Sequence, residues 1–96
     1  MLEKMRHEVE LLSRHMAVLR TVALHQPIGI NKLSEILDLP FHRIRYSLRV
    51  LEQMGYIRAS HAGAMATGRA EELFTTIDRD IDDLIILLKG VRGPGT

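Results

Sequence analysis

Cysteine does not occur in these 96 residues. Disulfide staples, thiolate zinc sites and cysteine nucleophiles are thereby excluded, and the composition suits an intracellular protein. No apolar run approaches the roughly 18 residues of a membrane span. From Glu3 onward charged and apolar residues alternate, unlike a signal peptide. The sequence thus predicts a soluble, cytoplasmic protein with no membrane partner. A glycine-rich phosphate loop, a Ser-His-Asp pattern and an HExxH motif are all missing. Asp82 and Asp83 are neighbours that point apart on a helix, so they do not make a catalytic pair. The five histidines, at 7, 15, 25, 42 and 61, are scattered. His7 and His15 stand too far apart for a two-ligand helical turn. Neither catalysis nor a metal or cofactor is expected.

An overall excess of charge of one sign is also nearly absent: 13 basic residues face 12 acidic ones, net +1. The distribution is uneven. Residues 1–40 are balanced. Residues 41–69 carry Arg43, Arg45, Arg49, Arg58 and Arg69 against Glu52 alone, and residues 70–96 are net acidic. The basic charge is concentrated in the middle of the chain.

That middle contains the stretch Pro40–Met54, which predicts a helix. Proline suits a helix start and Gly55 suits its stop. Phe41, Ile44, Leu48 and Leu51 share one face at helical spacing, predicted buried. His42, Arg45, Tyr46, Arg49 and Gln53 share the other, with Arg43 on the flank. Guanidiniums match phosphate oxygens and guanine edges, glutamine matches adenine, and tyrosine matches phosphate or a thymine methyl. A helix with this polar face fits a DNA major groove; the plainer reading is an Arg-rich solvated face.

Upstream, Leu2, Met5, Val9, Leu12, Met16, Leu19 and Ala23 step by three and four, predicting a helix over 2–25. Leu11, Val18 and Val22 widen the stripe in its second half, which is expected to enter the core, while Leu2, Met5 and Val9 form a narrower seam for another helix. Gln26-Pro27 ends this helix. Ile28-Gly29-Ile30 suits a turn or a three-residue strand. Asn31 is the expected N-cap of a short helix ending at Leu37, with Leu33, Ile36 and Leu37 inward. Asp38-Leu39-Pro40 is the turn into the arginine-rich helix, giving a helix-turn-helix arrangement. After Gly55, residues 56–60 and 64–66 suit a hairpin about a turn at His61-Ala62-Gly63, its alanine-rich second arm held by Ile57 and Met65. Thr67 is the expected N-cap of a last helix over about 68–89, ended by Gly90. Its apolar residues include Leu73, Phe74, Ile77, Ile81, Leu84, Ile85 and Leu88, and near Leu84 it becomes apolar almost all round. A chain this small has no core left to cover that surface, so a homodimer is expected. Its interface would comprise Phe74, Ile77, Ile81, Leu84, Ile85 and Leu88, joined by Leu2, Met5 and Val9. Residues 1–90 would form one domain and 91–96 a flexible tail.

The order helix, short strand, helix, helix, two-stranded wing, long helix resembles small archaeal and bacterial winged helix-turn-helix transcriptional regulators of the broad MarR/PadR/ArsR type. The resemblance runs from about Met16 to Leu88. It is carried by the segments Pro27–Leu37, Ile44–Glu52 and Gly55-Tyr56-Ile57, and by Ala66-Thr67-Gly68-Arg69-Ala70-Glu71, where Ala70 replaces a usual glycine and Ala66 a larger residue. The fold class expected is mainly α with a small β-wing, the long first and last helices forming a dimer seam. The resemblance implies a homodimer on a (pseudo)palindromic site in double-stranded DNA, with helix 41–54 in the major groove and wing 56–66 on the flanking backbone or minor groove.

On this reading Arg45, Tyr46 and Arg49 face the groove, and Arg45 and Arg49 read bases. His42, Arg43 and Gln53 are secondary contacts. Arg58 and His61 touch phosphate or minor groove, and Lys32 and Ser34 touch backbone phosphate. A small-molecule effector could sit between the first and last helices near Met5, Met16 and Phe74, although such residues are usually core. The alternative function is a winged-helix protein-interaction module without DNA binding, its arginines meeting an acidic partner.

Overall fold

The apolar repeat of the first 25 residues has no internal glycine or proline to break it. In the computed structural model, which describes residues 1–94, it forms one continuous helix, α1 (Leu2–His25). Pro27 stops it. The chain then makes α2 (Ile30–Leu37), α3 (Phe41–Gln53), a hairpin of β1 (Ile57–Ser60) and β2 (Gly63–Ala66), and α4 (Gly68–Val91). The architecture is mainly helical with a small antiparallel sheet.

α2 starts earlier than expected. Gly29, in extended backbone, is its N-cap, and the Leu33 N–H closes the first turn on the Gly29 carbonyl at 3.1 Å. Asn31 therefore lies inside the first turn rather than capping it. Asp38 ends α2 in a left-handed conformation (φ 53°, ψ 48°), which aspartate tolerates better than most residues. The Ser34 hydroxyl donates to the Leu39 carbonyl, bracing the turn that sets the direction of α3.

The core gathers Val18, Leu19 and Val22 of α1, Leu33 of α2, Ile44 and Leu51 of α3, with Ile28, Ile57 and Ala70 closing it. Each large side chain fully buried here contributes about 1.5–3 kcal/mol relative to exposure. α3 turns Ile44, Ser47 and Leu51 inward. Three positions differ from the expectation. Phe41, expected inside, is exposed at the head of α3, where the Arg45 guanidinium lies 5.9 Å from its ring centroid. Ser47, unmarked by its hydrophobicity, is fully buried, because its hydroxyl shares a 2.8 Å hydrogen bond with His15 Nδ1 of α1. Ile36, also expected inward, is exposed.

The hairpin pairs Ile57 with Ala66 and Ser60 with Gly63, so its turn holds two residues, His61 and Ala62, rather than three. Its weak second arm packs on the core through Ala64 and Ala66 rather than through the expected Met65. Met65 pairs with Arg58, one position along from Ile57 and so on the opposite face. The arm is also held by more than packing. Ile28 and Ala64 exchange backbone hydrogen bonds of 3.2 and 2.8 Å, making β2 the middle of three extended segments. The Ala66 N–H donates to Gln26 Oε1 at 2.7 Å. Gly63 is required at the edge of this bridge: its φ is +134°, and a Cβ there would stand 2.5 Å from the Ile28 carbonyl carbon and oxygen.

Thr67 precedes α4 as expected, but its hydroxyl donates to the Gly55 carbonyl at 2.6 Å instead of capping the helix. Gly90 does not end α4, which runs through it to Val91. Of the expected tail, residues 95–96 lie outside the described residues. Among the described residues, no helix is long and apolar enough to cross a membrane.

Candidate nucleic-acid interface

Burying Ile44, Ser47 and Leu51 fixes the rotation of α3, and with it the outward face. His42, Arg43, Arg45, Tyr46, Arg49 and Gln53 are all exposed. Among the described residues the ion pairs are Lys32–Glu35, at 3.7 Å, and one at Met1–Glu3. None of Arg43, Arg45, Arg49 or Arg58 is in an ion pair. Their charge is available to solvent and to any anion that approaches.

Two hollows divide this face. One, of about 420 Å³, lies between α3 and the hairpin. Arg45 and Arg49 reach it from α3 and Arg58 from β1, with Glu52 as its only carboxylate and Leu48 and Ile57 beneath. The hairpin thus brings Arg58 to the same concavity as two arginines nine or more positions earlier. His61 sits exposed in the hairpin turn. The second hollow, of about 490 Å³, lies where α3 meets α1, lined by Arg14, His42, Arg43, Arg45, Tyr46 and Arg49. No carboxylate lines it.

Arg14 was not singled out by the sequence reading. Its signal was nevertheless present: it stands between Leu11 and Val18 on the second apolar edge of α1, a charge in an apolar row. Its Nε is buried and finds no hydrogen-bond partner, an uncommon state for a buried donor. Beside it His15 is held below the ordinary histidine pKa, first by desolvation and then by the Arg14 charge. The His15 ring lies 5.8 Å from that of Tyr46, at a tilt of 39°.

Lys32 is exposed near the head of α2, alongside Glu35. Ser34 is half-buried, its hydroxyl engaged with Leu39.

The apolar residues expected at a dimer seam fall into two groups. Leu2, Met5, Val9, Leu84, Ile85 and Leu88 are exposed. Ile77 and Ile81 are half-buried, and Phe74 packs against the chain's own core. Between α1 and α4 runs an open groove of about 530 Å³, with Val9, Leu12, Met16, Ile77 and Ile81 on its walls. Met16 lines this groove, while Met5 and Phe74, also expected near an effector, do not.

No protein-family model and no curated protein matches the chain. Among solved structures it is similar to the activation domain of the phage T4 transcription factor MotA, with a TM-score of 0.61 and 22% sequence identity, over 76% of this chain and 81% of that one. At this identity the likeness is one of fold. Membership of the MarR/PadR/ArsR group is not established by any of these matches, and what the chain shares with that transcription-factor domain is the fold of the matched part.

Proposed function

We propose that this protein is a DNA-binding transcriptional regulator of winged-helix type, acting as a homodimer in the cytoplasm. The observation that carries the reading is the unpaired arginine face: Arg45 and Arg49 of α3 and Arg58 of the hairpin border one concavity and make no ion pair among the described residues. In this reading α3 enters the major groove, where Arg45 and Arg49 read guanine edges and Tyr46 and Gln53 assist. The hairpin is the wing, placing Arg58 and His61 on phosphate or in the minor groove. His42, Arg43 and Lys32 contact phosphate, while Ser34 acts through the turn it braces. Residues 1–90 are the folded domain. The bare apolar ends of α1 and α4 are the self-association surface, since a contiguous exposed patch of this kind marks an interaction site. The likeness to a transcription-factor domain agrees with a role in transcription.

Selection from a random duplex pool tests the whole reading: an inverted repeat is expected, reflecting two-fold symmetry. On the selected duplex, Arg49→Ala is expected to cost about 1–3 kcal/mol of binding, with a smaller loss on random duplex. Equal losses on both would make Arg49 a phosphate contact only. Failure to bind any duplex at low salt overturns the regulator.

One observation favours a second reading. The similar structure is an activation domain, and a module of that kind could serve as a protein-interaction unit without binding DNA. The arginines would then meet an acidic protein surface, and the absence of duplex binding at low salt is its signature.

A further inference from the structure

The hollow between α1 and α3 has a chemistry narrower than a general basic surface. Four guanidiniums, a histidine and a phenol line it, drawn from two helices, with no carboxylate among them. Three of the arginines are on exposed positions of α3. The fourth, Arg14, comes from α1, and its Nε is buried without an acceptor. Burial without a partner costs a donor its hydration. Solvent cannot supply an acceptor at that atom as freely as at the three exposed arginines. An oxyanion in the hollow would meet the Arg14 guanidinium where that side chain lines it and hold it by charge, while Nε stays covered.

We propose that this hollow is a phosphate seat, with Arg14 as its inner member and His42, Arg43 and Tyr46 as its rim, Arg45 and Arg49 adding positive charge at its edge. Guanidinium forks match the paired oxygens of a phosphate, and the positive charge of the lining, with no acid to offset it, selects an anion of more than one negative charge over a single carboxylate or halide. The arrangement around Arg14 is built rather than incidental. Its neighbour His15 is tied to Ser47 of α3 at 2.8 Å and lies against the Tyr46 ring, so α1 and α3 are joined beside the seat. Desolvation chiefly, and then the Arg14 charge, lower the pKa of His15, so the positive charge of Arg14 is felt beside the seat. The phosphate has two possible sources: a strand of nucleic acid lying across α3, which would deepen the DNA reading above, or a phosphorylated small molecule, which would not require it.

The experiment uses the full chain and inorganic pyrophosphate, at constant ionic strength maintained with sodium chloride. The arginine side-chain Nε–H signals are followed by NMR. The Arg14 signal is expected to shift saturably with pyrophosphate, and Arg14→Gln is expected to weaken the binding by about tenfold, the worth of a charge-assisted hydrogen bond. If the variant does not fold, the wild-type Arg14 signal alone decides. No shift beyond that given by chloride overturns the seat, and so does unchanged affinity in a folded Arg14→Gln. A duplex then separates the sources. Displacement of pyrophosphate by duplex, with a salt slope of duplex binding lowered by about one in Arg14→Gln, assigns the seat to a strand phosphate. Pyrophosphate binding that duplex leaves undisturbed assigns it to a small molecule. If in addition no duplex binds, the seat stands while the DNA reading falls. Duplex binding without pyrophosphate binding does the reverse.

Discussion

α1 carries one apolar repeat through two environments. Its inner half buries Val18, Leu19 and Val22 completely, whereas Leu2 and Val9 of its outer half remain 62% and 54% exposed. α4 repeats the contrast: Ala70 is fully buried, while Ile86 and Leu87 are 68% and 67% exposed. The outer halves give the molecule its length, 55 Å against 27 and 21 Å across, and a radius of gyration of 15.5 Å. A compact chain of this size would have about 12.5 Å. The same spacing of leucine and isoleucine therefore means different things at the two ends. Inside, the stripe meets α2, α3 and the hairpin. Outside, it meets only an open groove. One half is a finished core; the other presents apolar area that about 25 cal/mol per Å² favours covering.

Core truncation breaks this comparison most directly. Leu19→Ala is expected to cost about 2–5 kcal/mol of unfolding free energy, read by denaturant titration. Ile86→Ala in dilute protein is expected to stay within about 0.5 kcal/mol. Equal losses would mean that the outer half is already covered. Glycine substitution sharpens the contrast. Gly63→Ala drives a methyl into the Ile28 backbone and is expected to destabilise by about 1–3 kcal/mol. Gly90→Ala, where a Cβ meets nothing within 4 Å inside a helix, is expected to be neutral or to stabilise by up to about 1 kcal/mol. A thermal melt of both variants checks the pair.

The smallest effect concerns acid. His15 has its folded pKa lowered by desolvation and then by Arg14. The unfolded chain therefore takes up the proton first as pH falls. The stabilising contribution of His15 is present above about pH 6.5, the unfolded value, and is lost as pH drops through the lower folded value. Melting temperatures between pH 7.5 and about pH 5 are expected to fall less steeply in His15→Gln than in the native chain. An identical slope in both would remove His15 as a source.

Local signals made most of the helices legible. Uninterrupted three-and-four spacing marks α1, proline marks its end and the start of α3, and Gly55, at φ 82°, stops α3. The hairpin was legible from its strand formers and turn. Features that depend on distant parts of the chain were hidden. The Ile28–Ala64 bridge joins residues far apart in sequence, and no local preference of either announces it. Ser47 is buried because His15 waits opposite, which hydropathy does not encode. Phe41 looks like core by periodicity but falls where α3 begins, beyond the reach of the packed helices. Of the candidate interface, the arginines of α3 were legible from charge and period. Arg14 was missed because its neighbours in space come from another helix.

α1 is unbroken over 24 residues, a rod of about 36 Å at 1.5 Å per residue. It has no joint between its bare end at Leu2 and the place where His15 holds Ser47 of α3. The far tip and the helix that displays the arginines are therefore connected through a single helix and the His15–Ser47 hydrogen bond. On the proposed self-association, a second copy closing over that tip would act as a ruler, setting the tilt and the separation at which those cations are offered.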